Sequence, residues 1–454
     1  MRLYALVVAL ILAISACGSG GSPATSPTEA PGPSALAEAN GPITVTLWHG
    51  HGGAPGDALQ DLVDAFNAAN AGRIEVRAAF QGSYADTLAK YTAAIRDGGT
   101  PSILILNDIA SGFLRDAGQT IPAQAMAAAN PGDLDLGRLR PAARGYYTAE
   151  GALLAVPFAT SMPLLYVNDA LLDRAGIDRS TLGTLDGVAA AARLVAERVP
   201  GVAGLVQPLD GWWFEQLAAA SGQPYCSPAN GREPGGATAL TLAPEARRAI
   251  TTVADLYTGG AGLDTGSDGN AAVAAFTAGR VAMMFNSSGS MGGIAQSGMA
   301  GWSTLPYPLS GGRASSGALI GGSAMWVGGP GHSAAEQVAS WKVISYLASA
   351  QAQEAFAQAS GYAPVNTAVD ASPTEQAFLA QHPNHATLTQ QFADTPAVAA
   401  TAGCLTGAMP GIRAEVVDRM QAAFAGATPV DVALDEAEKA ATDKITAYRE
   451  QVGQ

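Results

Sequence analysis

The chain has 454 residues, 48% of them hydrophobic and only 14% charged, and carries a formal net charge of −14. That balance argues against nucleic acid as a partner, because such binding depends on clustered Lys and Arg. The residues beyond Gly41 exceed the roughly 250–300 at which one hydrophobic core stops growing, so two lobes are expected.

The amino terminus reads "MRLYALVVALILAISAC", with one early Arg2 and an apolar run from Leu3. The run is too short to span a membrane and suits the core of a signal peptide. Its ending, Ile14-Ser15-Ala16-Cys17, resembles a bacterial lipobox, in which the cysteine is diacylated and becomes the mature N-terminus. Residues 1–17 are therefore read as a lipoprotein signal peptide with Cys17 lipidated; an ordinary secretory signal with a chance cysteine is the alternative. Residues 18–41 are rich in Gly, Ser, Pro and Ala without apolar periodicity, the composition of a flexible linker. The expected location is extracytoplasmic, anchored by lipid to the outer face of the cell membrane. In that oxidising setting Cys226 and Cys404 form an even pair, so a disulfide is expected between them, with two separate buried thiols as the alternative.

"ITVTLW" from Ile43 alternates like a strand, and "GDALQDLVDAFNAAN" sets Leu59, Leu62, Val63 and Phe66 on one helical face. "RIEVRAAF" then reads as a strand, "YADTLAKYTAAIRDG" as a helix and "PSILILND" as a buried strand. This order predicts a parallel sheet with crossover helices, whose ligands sit beyond the carboxyl ends of the strands. Those ends are Trp48-His49-Gly50, Gly82-Ser83-Tyr84 and Asn107-Asp108. "PFATSMPLLYVN", Pro157 to Asn168, is strand-like yet carries Thr160 and Ser161. A buried hydroxyl without a partner costs about 1–3 kcal/mol, so something polar is expected to meet it.

Further on, "TLDGVAAAARLVAERV" is helical, and "RVAMMFNSSGSMGGI" is a strand entering a Ser/Gly-rich turn. "ALIGGSAMWVGG" is a strand broken by Gly321-Gly322. "SAAEQVASWKVISYLASAQAQEAFAQASG" reads as one long helix capped by Gly361. A helix opens after Pro410, with Arg413 in its first turn, and "LDEAEKAATDKITAYREQV" closes the chain. An Arg there faces the positive end of the helix dipole, which is unfavourable unless an anion neighbours it.

No catalytic pattern is found: G-x-x-x-x-G-K-[ST], H-E-x-x-H and G-x-S-x-G are all missing from the sequence. The pairs His49/His51 and His382/His385 lack a third ligand at a telling distance, so neither a metal nor a cofactor is expected. The carboxylates are scattered, and nothing marks a glycosidase pair.

The stretches "LWHG", "QGSYADTL", "RGYYT", "PFATSMPLLYVNDALLDRAGID", "SSGSM", "LIGGSAMWV", "SGYAPVN" and "MPGIR" together resemble the solute-binding proteins of ABC importers. The resemblance is to the large extracellular family that includes maltose-type binders, and within it to the Ugp-type binders of glycerol-3-phosphate and glycerophosphodiesters. It implies an α/β fold, a type II periplasmic-binding-protein-like clamshell of two lobes with a larger C-terminal lobe and hinge strands between them. Lobe 1 is expected over 42–157 and 307–358, lobe 2 over 158–306 and 359–454. The implied role is capture of a solute for membrane permease subunits, with no bond broken, by a protein expected to act as a monomer.

The resemblance places ligand contacts on Tyr84, Asp108, Ser161, Gly322, Tyr362 and Arg413, and on Ser287 or Ser290 of the Ser-rich turn. Such a set suits a glycerophosphodiester: serines, turn amides and an Arg fork for phosphate, Asp108 for glycerol hydroxyls, tyrosine rings for the carbon chain. Tight binders of glycerol-3-phosphate resemble Trp-x-x-Trp in this region, and the matching pair here is Leu209-x-x-Trp212. The smaller Leu209 leaves room for a head group on the phosphate, and Trp212 or Trp213 is placed to face a choline-like cation. Glycerophosphocholine is the first expected ligand; a di- or oligosaccharide stacking on Trp212, Trp213 and Tyr362 is the alternative. Along the strand, Ser161 is expected to face the cleft and Thr160 the other side.

Overall fold

The computed structural model describes residues 29–310 and 315–453, so the expected signal peptide, Cys17 and residues 18–28 of the expected linker lie outside the described residues. The later part of that linker rests on the surface of the fold. Ser34–Ala37 forms a helical turn against helix Ala334–Leu347, and Asn130 Nδ2 donates to the Pro31 carbonyl at 2.9 Å. Leu36 and Ala30 supply the reason, since both pack against the apolar core.

Among the described residues, two larger sheets are built from ten strands. In chain order these are β1 (Ile43–His49), β2 (Ile74–Phe80), β3 (Ile103–Asn107), β4 (Thr120–Ile121), β5 (Val156–Ser161), β6 (Pro163–Asn168), β7 (Ala203–Val206), β8 (Val281–Ser287), β9 (Trp302–Pro306) and β10 (Gly321–Gly328). The first sheet runs β2-β1-β3-β10-β4, with β5 sharing the β10 edge with β4. The second runs β9-β6-β8-β7. β1 pairs in parallel with β2 and β3, as the alternation of strand and helix predicts. The first crossover helix, Gly53–Ala69, buries Leu59, Leu62, Val63 and Phe66 as its periodicity requires. The second, Tyr84–Asp97, opens on a capping box in which Ser83 Oγ accepts from Asp86 N at 3.2 Å and Asp86 Oδ2 accepts from Ser83 N at 2.9 Å. That cap fixes where Tyr84 begins.

β5 belongs to the first sheet and β6 to the second, with Met162 alone between them. The chain therefore changes lobes within one extended, fully buried segment. Met162 is held on both sides of its peptide: its N–H donates to Ser288 Oγ at 3.3 Å, and its carbonyl accepts from Ser288 N at 2.8 Å. The molecule is a two-lobed α/β clamshell. Cys226 and Cys404 meet in a disulfide with a Cα–Cα distance of 5.5 Å.

The long helix read from 333 to 361 is in fact two, Ala334–Leu347 and Ala350–Ser360. The break lies at Ser349, whose Oγ accepts from Ala352 N at 3.3 Å and so starts a new helix instead of continuing the old one. Gly361 does cap the second helix, at φ +76°. The helix expected after Pro410 opens at Met409, with Pro410 in its first turn.

Candidate functional site

A cavity of about 290 Å³ lies where the carboxyl ends of the first sheet meet the second lobe. From the first sheet come Tyr84, Asp108 and Ser161, each just beyond or at a strand end, together with Gly322 of β10. From the second lobe come Trp212 and Trp213 at the start of helix Gly211–Ala220, Ser287 at the end of β8, and Arg413 in the first turn of helix Met409–Phe424. Tyr362 enters just past the Gly361 cap. Ser161 is part of the wall and Thr160 is not.

Two of the anticipated residues stand apart. Leu209 is only 2% exposed and faces a neighbouring hollow with Asp210, Gly211 and Ser267, held there by its N–H bond to the Gly266 carbonyl at 2.9 Å. Ser290 ends the turn Ser288–Ser290 and is not in the cavity wall, whereas Ser287, which caps that turn, is. Ser287 Oγ accepts from Gly289 N at 3.2 Å and caps the turn.

Gly322 adopts φ +104°, and a Cβ there would lie 1.8 Å from the Ala159 carbonyl, so only glycine lets β10 run beside β5 at the cavity. Gly211 works by close approach: a Cβ on it would come within 2.5 Å of Arg413 Cβ and Cγ. The Arg413 stem thus rests on the first turn of the tryptophan helix.

Arg413 is held between two carboxylates. Its Nε donates to Glu215 Oε1 at 2.5 Å and its Nη2 to Asp108 Oδ2 at 3.1 Å. Asp108 comes from the first sheet and Glu215 from the second lobe, so the guanidinium joins the two walls. Asp108 Oδ2 also accepts from Tyr146 Oη at 3.2 Å. The unfavourable helix end anticipated for Arg413 is thereby compensated by neighbouring anions. Burial works against the charge on Arg413, but Glu215 and Asp108 outweigh it and its pKa is raised. Burial raises Asp108 against the pull of Arg413, and lifts Glu215 to about 7 against the same pull. Glu215 is missing from the residues expected on sequence, although a carboxylate within "GWWFEQLAAA", a helix otherwise suited to a core, was a usable signal. Asp210, which caps that helix through Trp212 N at 2.7 Å, also lines the cavity.

One wall is aromatic. His51 packs edge-on against Tyr84 at 5.8 Å and Tyr362 at 6.1 Å, and its Nε2 lies 3.1 Å from Ser323 Oγ. Burial, then His49, pushes His51 down to about 3, so it is neutral packing behind the tyrosines. His382 and His385 pack on Phe378 at 4.1 and 5.1 Å. No group of three or more His, Cys, Asp or Glu that could hold a metal occurs among the described residues. Opposite, Trp212 lies edge-on to Trp213 at 5.0 Å, and its Nε1 is buried with no acceptor among the described residues.

Residues 61–387 match the family model of bacterial extracellular solute-binding proteins. The chain is 28% identical over 402 residues to the sn-glycerol-3-phosphate-binding periplasmic protein UgpB of Yersinia pseudotuberculosis, covering 87% of this chain and 90% of that protein. It is 27% identical over 409 residues to UgpB of Escherichia coli, covering 88% and 92%. Among solved structures, UgpB of Mycobacterium tuberculosis in complex with glycerophosphocholine superposes with a TM-score of 0.76 at 20% identity, over 90% of this chain and 99% of that one. The cyclic alpha-maltosyl-1,6-maltose binding protein of Arthrobacter globiformis gives 0.75 at 22%, over 89% and 100%. With the matched region spanning most of the chain and the clamshell shared along its length, this protein belongs to the bacterial extracellular solute-binding protein family.

Proposed function

We propose that the protein captures a glycerophosphodiester, glycerophosphocholine foremost, and presents it to the permease of an ABC importer. Members of this family bind a small solute and deliver it for transport, and the class of solute here is a sugar or a glycerol-phosphate compound. The observation that carries the finer reading is the state of Arg413. Nε and Nη2 are fixed by Glu215 and Asp108, while Nη1 has no acceptor among the described residues and the side chain borders the cavity. A guanidinium fixed on two edges and open on the third suits one phosphate oxygen or two. Ser161, Ser287 and the backbone at Gly322 add donors around it.

The charge balance favours a diester over glycerol-3-phosphate. One Arg faces Asp108, Asp210 and Glu215, so a doubly charged phosphate monoester brings excess anion into a buried site. A zwitterion does not. Its quaternary ammonium group suits the faces of Trp212 and Trp213 beside Asp210. Because Leu209 does not line the cavity, the room for that head group is attributed to the cavity itself and not to the Leu209 side chain. The volume of about 290 Å³, just below the roughly 300–1,000 Å³ usual for small-molecule sites, suits such a ligand better than an oligosaccharide.

A sugar is the second reading, favoured by the rings of Tyr84, Tyr362 and Trp212 around the cavity with carboxylates alongside. Thermal-shift and calorimetric titration with glycerophosphocholine, glycerol-3-phosphate and maltose separates the two. A shift with glycerophosphocholine supports the proposal, and a shift with maltose alone overturns it. Arg413→Ala is expected to weaken diester binding by about 2–5 kcal/mol. Unchanged affinity would remove Arg413 from the ligand.

A further inference from the structure

Arg413 shares one positive charge between two carboxylates, and these are not alike. Asp108 has its Oδ2 held by both Arg413 and Tyr146. Glu215 is 1% exposed, receives one bond at Oε1, and its Oε2 is buried with no partner among the described residues. A carboxylate oxygen without a donor in a buried place is where a proton is most easily held. Protonation at Oε2 leaves Oε1 free to keep accepting from Arg413 Nε, so the guanidinium need not move.

A phosphate reaching Arg413 adds a further negative charge beside Asp108, Glu215 and Asp210. Resting on the reading that the ligand is a glycerophosphodiester, we infer that Glu215 takes up one proton from solvent when the phosphate binds, and so governs the charge that Arg413 offers the ligand. Glu215 is then a positioning and specificity residue that acts through Arg413. Deprotonated, it shares the guanidinium with Asp108; protonated, it leaves Asp108 as the one carboxylate bonded to Arg413, so more of that charge acts on the phosphate.

The groups around Glu215 leave it the natural site for this proton. Asp210, at the start of the same helix, and Asp108 across the cavity add negative charge to it. Tyr146 and Tyr225 also face it, and burial keeps both phenols protonated. Helix Pro244–Thr258 packs on the same helix, and its Arg247 is engaged by Glu438 and Asp435 at 2.6 Å each. His51, behind the tyrosine wall, stays neutral at about 3, and burial lowers His49 as well. A phosphodiester and a quaternary ammonium do not titrate near neutrality, so the ligand itself supplies no proton.

Burial holds free Glu215 at about 7, so glycerophosphocholine should bind roughly tenfold more tightly at about pH 6 than at about pH 8. Calorimetry near pH 8 in HEPES and in Tris, whose ionisation enthalpies differ, should report uptake of close to one proton per ligand. In Glu215→Gln, which retains an acceptor for Arg413 Nε, the uptake should vanish and the affinity should become equal at both pH values. Binding by the wild type with no uptake in either buffer overturns this inference, a result that needs no variant. Persistent uptake in Glu215→Gln moves the proton to another group and overturns the assignment to Glu215. No binding of glycerophosphocholine at either pH is a different outcome, and it removes the diester reading first.

Discussion

Arg413 supports the fold as well as the cavity, because two buried carboxylates lose the cation that is bonded to both when it goes. Breaking a buried pair by removing one partner costs about 3–5 kcal/mol, so Arg413→Ala should unfold in less urea than the wild type. The penalty should depend on pH, and its sign follows from Glu215. Its folded value of about 7 lies above the roughly 4.3 of an unfolded Glu, so its contribution is full below the unfolded value and is lost as pH rises through the folded one. Arg413→Ala removes the charge that opposes this shift. Urea titrations should therefore show a larger loss near about pH 8 than near about pH 5. An equal loss at both would mean that Glu215 is not left ionised and unpaired. At this scale the sequence offered a local position, Ser161 in a strand, Tyr84 beyond a strand end and Arg413 just after Pro410, while their expected part in a ligand site came from the family resemblance. Glu215 was not legible, because its role arises from a contact with a residue 198 positions away, and no local periodicity encodes that.

Elements were legible where one face had to be buried and less so where polar residues choose a boundary. Leu59, Leu62, Val63 and Phe66 could form only one buried stripe, and they do. Helix 333–361 gave no apolar sign of its break, since buried residues occur on both sides of it; the Ser349 hydroxyl decided. The Cys226–Cys404 disulfide is a third kind of case, where cysteine count and compartment suggested the bond but only the fold brings the two short segments together. Cys226 opens a two-residue strand paired with Ala239–Leu240, and Cys404 follows the turn at 399–402, with Leu405 N bonded to the Asn230 carbonyl at 2.9 Å. The bond closes a loop of 178 residues, for which chain entropy alone gives at most about 5 kcal/mol. The double variant Cys226→Ala, Cys404→Ala should melt well below the wild type, and reducing agent should lower the wild-type transition towards it. A wild type whose melting ignores reducing agent would mean that the bond is not formed in solution.

The whole molecule sets a field that the cavity must work against. A net charge of −14 repels anions at a distance, while Arg413 attracts one only at contact. On the proposed reading the two effects act at different steps: the field governs approach, and the guanidinium governs retention. Added salt screens charges farther apart than the Debye length, about 10 Å at 0.1 M, and screens the buried Arg413 contact much less. Two diesters of different net charge make this measurable, glycerophosphocholine being neutral overall and glycerophosphoglycerol carrying one negative charge. Trp212 and Trp213 border the cavity, so their fluorescence in stopped flow provides the signal. Between about 20 and 200 mM NaCl the association rate of glycerophosphoglycerol should rise while that of glycerophosphocholine stays nearly constant. If both rates fall with salt, local attraction by Arg413 reaches beyond the cleft and outweighs the acidic surface. If the charged diester rises and the neutral one does not, the preference for a zwitterion has two independent sources, the charge balance inside the cavity and the field outside it.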